Sequence, residues 1–168
     1  GGRSKSAGSA GPPTPTSSRG TPRVALAVQG LPLLKPPYGT ISAIDMKRGE
    51  ILWQTAHGAT PDDIRNHPLL ADLDIPRTGQ AGSPGTLVTR TLLIAGERLF
   101  TTQPSGELGA MLRAYDKATG AEVGAVHMPA PQSGSPMTYL HGGEQYIVVA
   151  VSGPQYAGEL LAYKLPAR

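Results

Sequence analysis

Residues 41–53, ISAIDMKRGEILW, and residues 112–124, LRAYDKATGAEVG, decide the fold. Ala43, Asp45 and Gly49 in the first stretch line up with Ala114, Asp116 and Gly120 in the second, each 71 positions on. Ile41 and Ile44 match Leu112 and Tyr115 in the same frame. Each stretch reads as a β-hairpin. Alternating side chains face opposite sides of a strand, the aspartate accepts backbone N–H groups at the turn, and the glycine supplies a positive φ. A shorter third copy, LLAYKL at 160–165, puts Ala162 48 positions after Ala114. A period of about 40–50 residues is that of propeller blades. The longer first spacing implies an insertion.

That insertion is residues 59–82, ATPDDIRNHPLLADLDIPRTGQAG, which break the strand pattern. Thr60 before Pro61 predicts a helix N-cap with Asp62 and Asp63 in the first turn, and Pro68 ends the helix after about two turns. A short helix and a long loop should therefore project from one rim of a sheet. Trp53 ends a strand and should be buried between neighbouring sheets, whereas the second copy has Gly124 at that place. A further hairpin is predicted at 137–151 around His141-Gly142-Gly143-Glu144. With strands at 86–89, 92–95 and 98–102, the chain carries about nine strands, the content of roughly two four-stranded blades.

Composition agrees. Glycine (22) and proline (17) make almost a quarter of the 168 residues, and both are poor in helix interiors. Residues 1–23 contain almost only small, polar and basic residues, so they offer no face to bury and read as a disordered tail; LPLLKPPY at 31–38 reads as an extended lead-in. Four of the 15 basic residues, Arg3, Lys5, Arg19 and Arg23, lie in that tail. The folded part, 24–168, is nearly neutral and has no basic patch, which excludes nucleic acid as a partner. The absence of cysteine excludes disulfides, thiolate metal sites and a cysteine nucleophile. No apolar run reaches membrane-spanning length. Starting at glycine, the sequence is expected to have lost a leader or to be a fragment.

The pattern A-x-D-x-x-x-G-x-x-x-W, met by Ala43, Asp45, Gly49 and Trp53, resembles the blade-docking motif of quinoprotein dehydrogenases. Residues 134–153, GSPMTYLHGGEQYIVVAVSG, resemble the last blade of that family, and 36–54 with the Asn66-His67-Pro68 insertion are similar to its glucose dehydrogenase branch. The resemblance runs from Leu31 to Pro166. It implies an all-β fold, a partial propeller of about two of eight blades with a short helix and loop insertion. It further implies a periplasmic parent enzyme, any membrane association being made through regions outside this chain, that oxidises an aldose or alcohol at pyrroloquinoline quinone (PQQ). Calcium would sit beside the quinone, its ligands and the catalytic aspartate lying in blades outside this chain, and electrons would pass to ubiquinone or a cytochrome. The missing blades would be this segment's partners, and no catalytic residue is expected within it. Two turns match cofactor contacts: one carries Ser83, Pro84 and Gly85, with Ser83 where the alcohol-oxidising branch has tryptophan, and the other, 152–157, carries Tyr156. Backbone amides of such turns can face the quinone's carboxylates. The rival reading is a non-catalytic propeller scaffold, whose docking hairpins would look alike.

Other candidates read more plainly. Asp45 and Asp116 recur once per blade and are turn-formers rather than a catalytic pair. His57, His67, His127 and His141 lack the spacing of metal ligands; His67 should cap or line the rim, and His141 should be solvated in a turn. Asp62, Asp63, Arg65, Asp72, Asp74 and Arg77 read as a solvated loop, with a substrate rim as the alternative. No G-x-S-x-G elbow supports a serine hydrolase.

Overall fold

The computed structural model describes residues 26–154 and 156–165, so the stretch 1–23 lies outside the described residues. The described residues up to Leu33 belong to a unit of their own, a minimal hairpin of β1 (Ala27–Val28) and β2 (Leu31–Pro32). From Leu34 onward the chain is a second unit. It contains β3 (Thr40–Asp45), β4 (Glu50–Ala56), α1 (Asp62–Arg65), β5 (Thr86–Val88), β6 (Leu92–Gly96), β7 (Thr101–Thr102), β8 (Leu108–Asp116), β9 (Glu122–Met128), β10 (Met137–His141), β11 (Glu144–Gly153) and β12 (Tyr156–Lys164). All pairings are antiparallel.

The all-β expectation holds, and the sheets are those of an unclosed propeller. One blade is complete, with β5, β6, β8 and β9 side by side and the short β7 pairing the start of β8. Before it stands the two-stranded β3–β4 sheet, after it the three-stranded β10–β11–β12 sheet.

The two repeat hairpins share one geometry. Ala43 pairs with Trp53 and Ala114 with Gly124, and in both hairpins the register slips at the next residue, a β-bulge. Asp45 Oδ1 accepts from the Lys47 and Arg48 N–H groups at 2.8 and 3.2 Å. Asp116 Oδ1 accepts from the Ala118 and Thr119 N–H groups and from Thr119 Oγ1, at 3.0, 2.9 and 3.0 Å. Gly49 and Gly120 close these turns at φ +68° and +74°. The aspartates are turn-formers in both copies.

Trp53 docks one sheet on the next. Its indole Nε1 donates to Lys117 O at 3.0 Å, and its ring lies so close to Gly120 that a Cβ there would come within 2.5 Å of Cε3. At Gly124 nothing takes that role, and a Cβ added there would meet no atom within 4 Å. A cleft of about 690 Å³ opens instead between the complete blade and β10–β12, lined among others by Gly124, Val126, Ile147 and Tyr163. The core is built from Ile94, Ala110, Leu112, Met128, Ala130, Val149 and Val151, which join the same two sheets.

The insertion departs from expectation in two ways. Its helix is a single turn, and Pro61 rather than Thr60 holds the N-cap position, with no side-chain cap. Thr60 is buried and its Oγ1 accepts from the Thr78 N–H at 3.1 Å instead, drawing the two ends of the insertion together. The loop is also bonded down at Asp62 and Arg65, while Asp63, Asp72 and Asp74 are exposed, as expected of a solvated loop. Asp62 Oδ2 accepts from both the N–H and Oγ1 of Thr102 at 2.7 Å, and Arg65 Nη2 donates to Thr102 O at 2.9 Å. His67 Nδ1 accepts from the Leu69 N–H and caps a 3-10 turn at Pro68–Leu70.

Candidate functional site

Antiparallel pairing sorts the connections to two ends. The tight turns after Asp45, Val88, Asp116 and His141 lie at one end. The long connections 57–85, 97–107 and 129–136 and the turn that follows Gly153 lie at the other, because they leave from strands running the opposite way. Long loops on a rigid sheet frame are where binding residues concentrate.

A buried polar cluster holds these loops in place. Glu97 has no exposed surface. Its Oε1 accepts from the Ala59 N–H at 2.7 Å and from Arg113 Nε and Nη2 at 2.9 and 2.7 Å. Its Oε2 accepts from the Met111 N–H at 3.0 Å. Arg113 continues to Glu122 at 2.8 Å, and Glu122 pairs with Arg77 of the insertion. Buried charges persist only when paired and hydrogen-bonded like this.

His57 completes the cluster, 4 % exposed. Nε2 lies 3.2 Å from Gly96 O, so it carries the proton, and Nδ1, 2.9 Å from the Tyr115 hydroxyl, accepts. Both bonds are made by the neutral ring. Burial lowers the pKa of His57 from its usual 6.5, and burial pushes the Tyr115 phenol up to about 12.

A smaller cleft of about 330 Å³ lies at the loop end, lined by Arg98–Phe100, Pro131–Ser133 and Ser152–Pro154. Gln132 ties its parts together. It is 2 % exposed, accepts from the Gly96 N–H at 2.5 Å and donates to Gly85 O at 2.8 Å. Arg98 Nη1 donates to Gln132 O at 3.1 Å. Gly153 gives room to Phe100, whose ring would lie 2.4 Å from a Cβ there.

The residues expected to meet a cofactor, Ser83, Pro84, Gly85 and Tyr156, neighbour this cleft, and none of them lines it. Gly85 is fixed by Gln132 and packs so closely on Ser135 that only glycine fits. Ser83 is exposed and Pro84 half-buried beside it. Tyr156 faces Gly153 across the β11–β12 pair, but its hydroxyl donates along its own strand to Glu159 and it is not part of the cleft lining. Arg98, Gln132 and Glu97 carry the site's polar chemistry and were not singled out from sequence. Their trace is the Glu-Arg pair in GERLF at 96–100, charges set between two apolar strands. Among the described residues no three His, Asp or Glu side chains group as a metal centre.

The PQQ glucose/ethanol/alcohol dehydrogenase β-propeller domain matches residues 2–147. A probable quinate dehydrogenase (quinone) of Xanthomonas campestris pv. juglandis is 36 % identical over 149 residues, covering 84 % of this chain and 17 % of the relative. Quinoprotein glucose dehydrogenase A of Acinetobacter calcoaceticus is 30 % identical over 146 residues, again 84 % of this chain and 17 % of the relative. The glycerol dehydrogenase large subunit of Gluconobacter oxydans (strain 621H) is 31 % identical over 144 residues, 82 % of this chain and 18 % of the relative. The chain thus spans less than a fifth of the length of these relatives. With a complete four-stranded blade, a docking tryptophan and this match, it belongs to the PQQ-type glucose/ethanol/alcohol dehydrogenase β-propeller family.

Proposed function

We propose that this chain forms part of the propeller of a periplasmic dehydrogenase that oxidises a polyol, aldose or hydroxy acid at PQQ, with calcium bound by blades outside the chain. Electrons leave to ubiquinone or a cytochrome. Bound PQQ supplies a two-electron acceptor for the carbinol carbon, chemistry that no side chain offers. The residues of this chain bind and orient. Trp53 fixes the spacing of consecutive sheets, the Glu97–Arg113 pair anchors the insertion, and Gln132 holds the Gly85 turn against the 330 Å³ cleft. No proton transfer is assigned to Glu97, since both its oxygens are engaged.

The residues present fit one edge of such a cofactor. An exposed guanidinium, two serine hydroxyls and glycine-bearing turns suit carboxylates. The observation that carries the reading is that loops from consecutive sheets converge on this cleft at one end of the blades, while tight turns occupy the other. The test is to add PQQ and calcium to the full-length gene product and follow dye reduction with glucose, glycerol and quinate. Turnover with at least one of them is expected. No turnover with any polyol, sugar or hydroxy acid would favour a scaffold.

A further inference from the structure

The loop-end cleft carries a charge that no carboxylate among the described residues balances. Arg48, Arg65, Arg77 and Arg113 each meet a carboxylate. Arg98 meets none among the described residues, yet its side chain is held at two points. Its stem lies against Gly82, where a Cβ would come within 3.0 Å of Arg98 Cγ. Its Nη1 donates to Gln132 O at 3.1 Å. Gln132 is in turn fixed by Gly96 and Gly85. An arginine pre-positioned in this way loses less rotamer freedom on binding than a loose one.

Nε and Nη2 of Arg98 have no partner among the described residues, and they are adjacent donors of the fork that matches a carboxylate. Two hydroxyls share the cleft, those of Ser133 and Ser152. Their backbone N–H groups are already engaged, with Ala150 O at 2.8 Å and Pro131 O at 3.0 Å, so the backbone frames the hydroxyls. Among the described residues no acidic side chain lines the cleft. A neutral sugar edge calls for carboxylate or amide acceptors; a fixed cation flanked by hydroxyls suits an anion.

We propose that the cleft is a carboxylate subsite in which Arg98 forks onto one carboxylate while Ser133 and Ser152 donate to it. The inference rests on the dehydrogenase reading, within which the carboxylate comes either from the quinone cofactor or from a hydroxy-acid substrate. The test uses the full-length protein and its Arg98→Gln and Arg98→Lys variants, with near-UV circular dichroism as the check on folding. PQQ is titrated into each apoprotein by calorimetry, and KM and kcat are measured for quinate, glucose and glycerol.

Loss of the fork should weaken the bound carboxylate about 10- to 100-fold. If the PQQ Kd rises by that factor in Arg98→Gln and Arg98→Lys recovers part of it, the cofactor is the source. If the PQQ Kd holds while KM for quinate rises and KM for the neutral substrates does not, the substrate is the source. If every value stays within twofold in correctly folded variants, the subsite is overturned and the dehydrogenase reading stands. If the wild-type protein neither binds PQQ nor turns over, that reading falls instead. Calorimetry with quinate alone then decides the subsite: binding lost in Arg98→Gln keeps it, and no binding by the wild type overturns it.

Discussion

Glu97 is the residue on which the loop end depends most. It joins the start of the insertion, the β6 end and β8 through four hydrogen bonds. Glu97→Ala would leave Arg113 partly unpaired in a buried setting, a change that typically costs about 3–5 kcal/mol. Chemical denaturation of the full-length protein should show a loss of that size. His57 sets an acid limit. Its folded pKa lies below the ordinary 6.5 because burial disfavours the charged ring. Between 6.5 and that lower value the unfolded chain binds a proton that the native chain refuses. Stability is therefore full above about pH 6.5 and declines as pH falls toward the native pKa. His57→Gln should shrink the difference between denaturation midpoints at about pH 7.5 and about pH 5.5. None of this cluster was legible in the sequence, because its members meet over separations of up to 58 residues, as His57 does with Tyr115. Asp45 and Asp116 were legible because their partners lie two or three residues on.

The repeated hairpin shows how much of an element sequence can specify. Its strand pairing, aspartate turn, closing glycine and docking tryptophan were all readable from one alignment of the chain with itself. The shared bulge was not: Leu52 and Val123 are the extra residues, and each stands so close to its turn that too few strand residues precede it to set an alternation it could break. The insertion was misread for a related reason: Thr60 has the identity of a cap, yet a residue 18 positions on claims its hydroxyl. Gly120 combines φ +74° with contact to the Trp53 ring. Gly120→Ala should therefore cost about 1–3 kcal/mol, seen as a lower melting temperature. Gly124 stands where the tryptophan would be, over open space. Gly124→Trp should fill part of the 690 Å³ cleft and raise stability by about 0.5–2 kcal/mol, measured the same way.

At the scale of the whole molecule the sheets are unfinished. β3 and β12 each present an edge with no neighbouring strand among the described residues. Large apolar side chains stand exposed on the flanking strands, including Ile44, Ile51 and Leu52 before the complete blade and Leu140 and Leu160 after it. Open edges and bare apolar faces favour association. The polypeptide 24–168 produced alone should self-associate in light scattering after gel filtration; a monodisperse, cooperatively melting monomer would contradict this. Trp53 makes the first seam observable, because it is the only tryptophan in the 168 residues. Its indole rests on the neighbouring hairpin and is half-buried there. The emission wavelength of this chain thus reports one junction between consecutive wedges, and a red shift marks their parting before either wedge unravels.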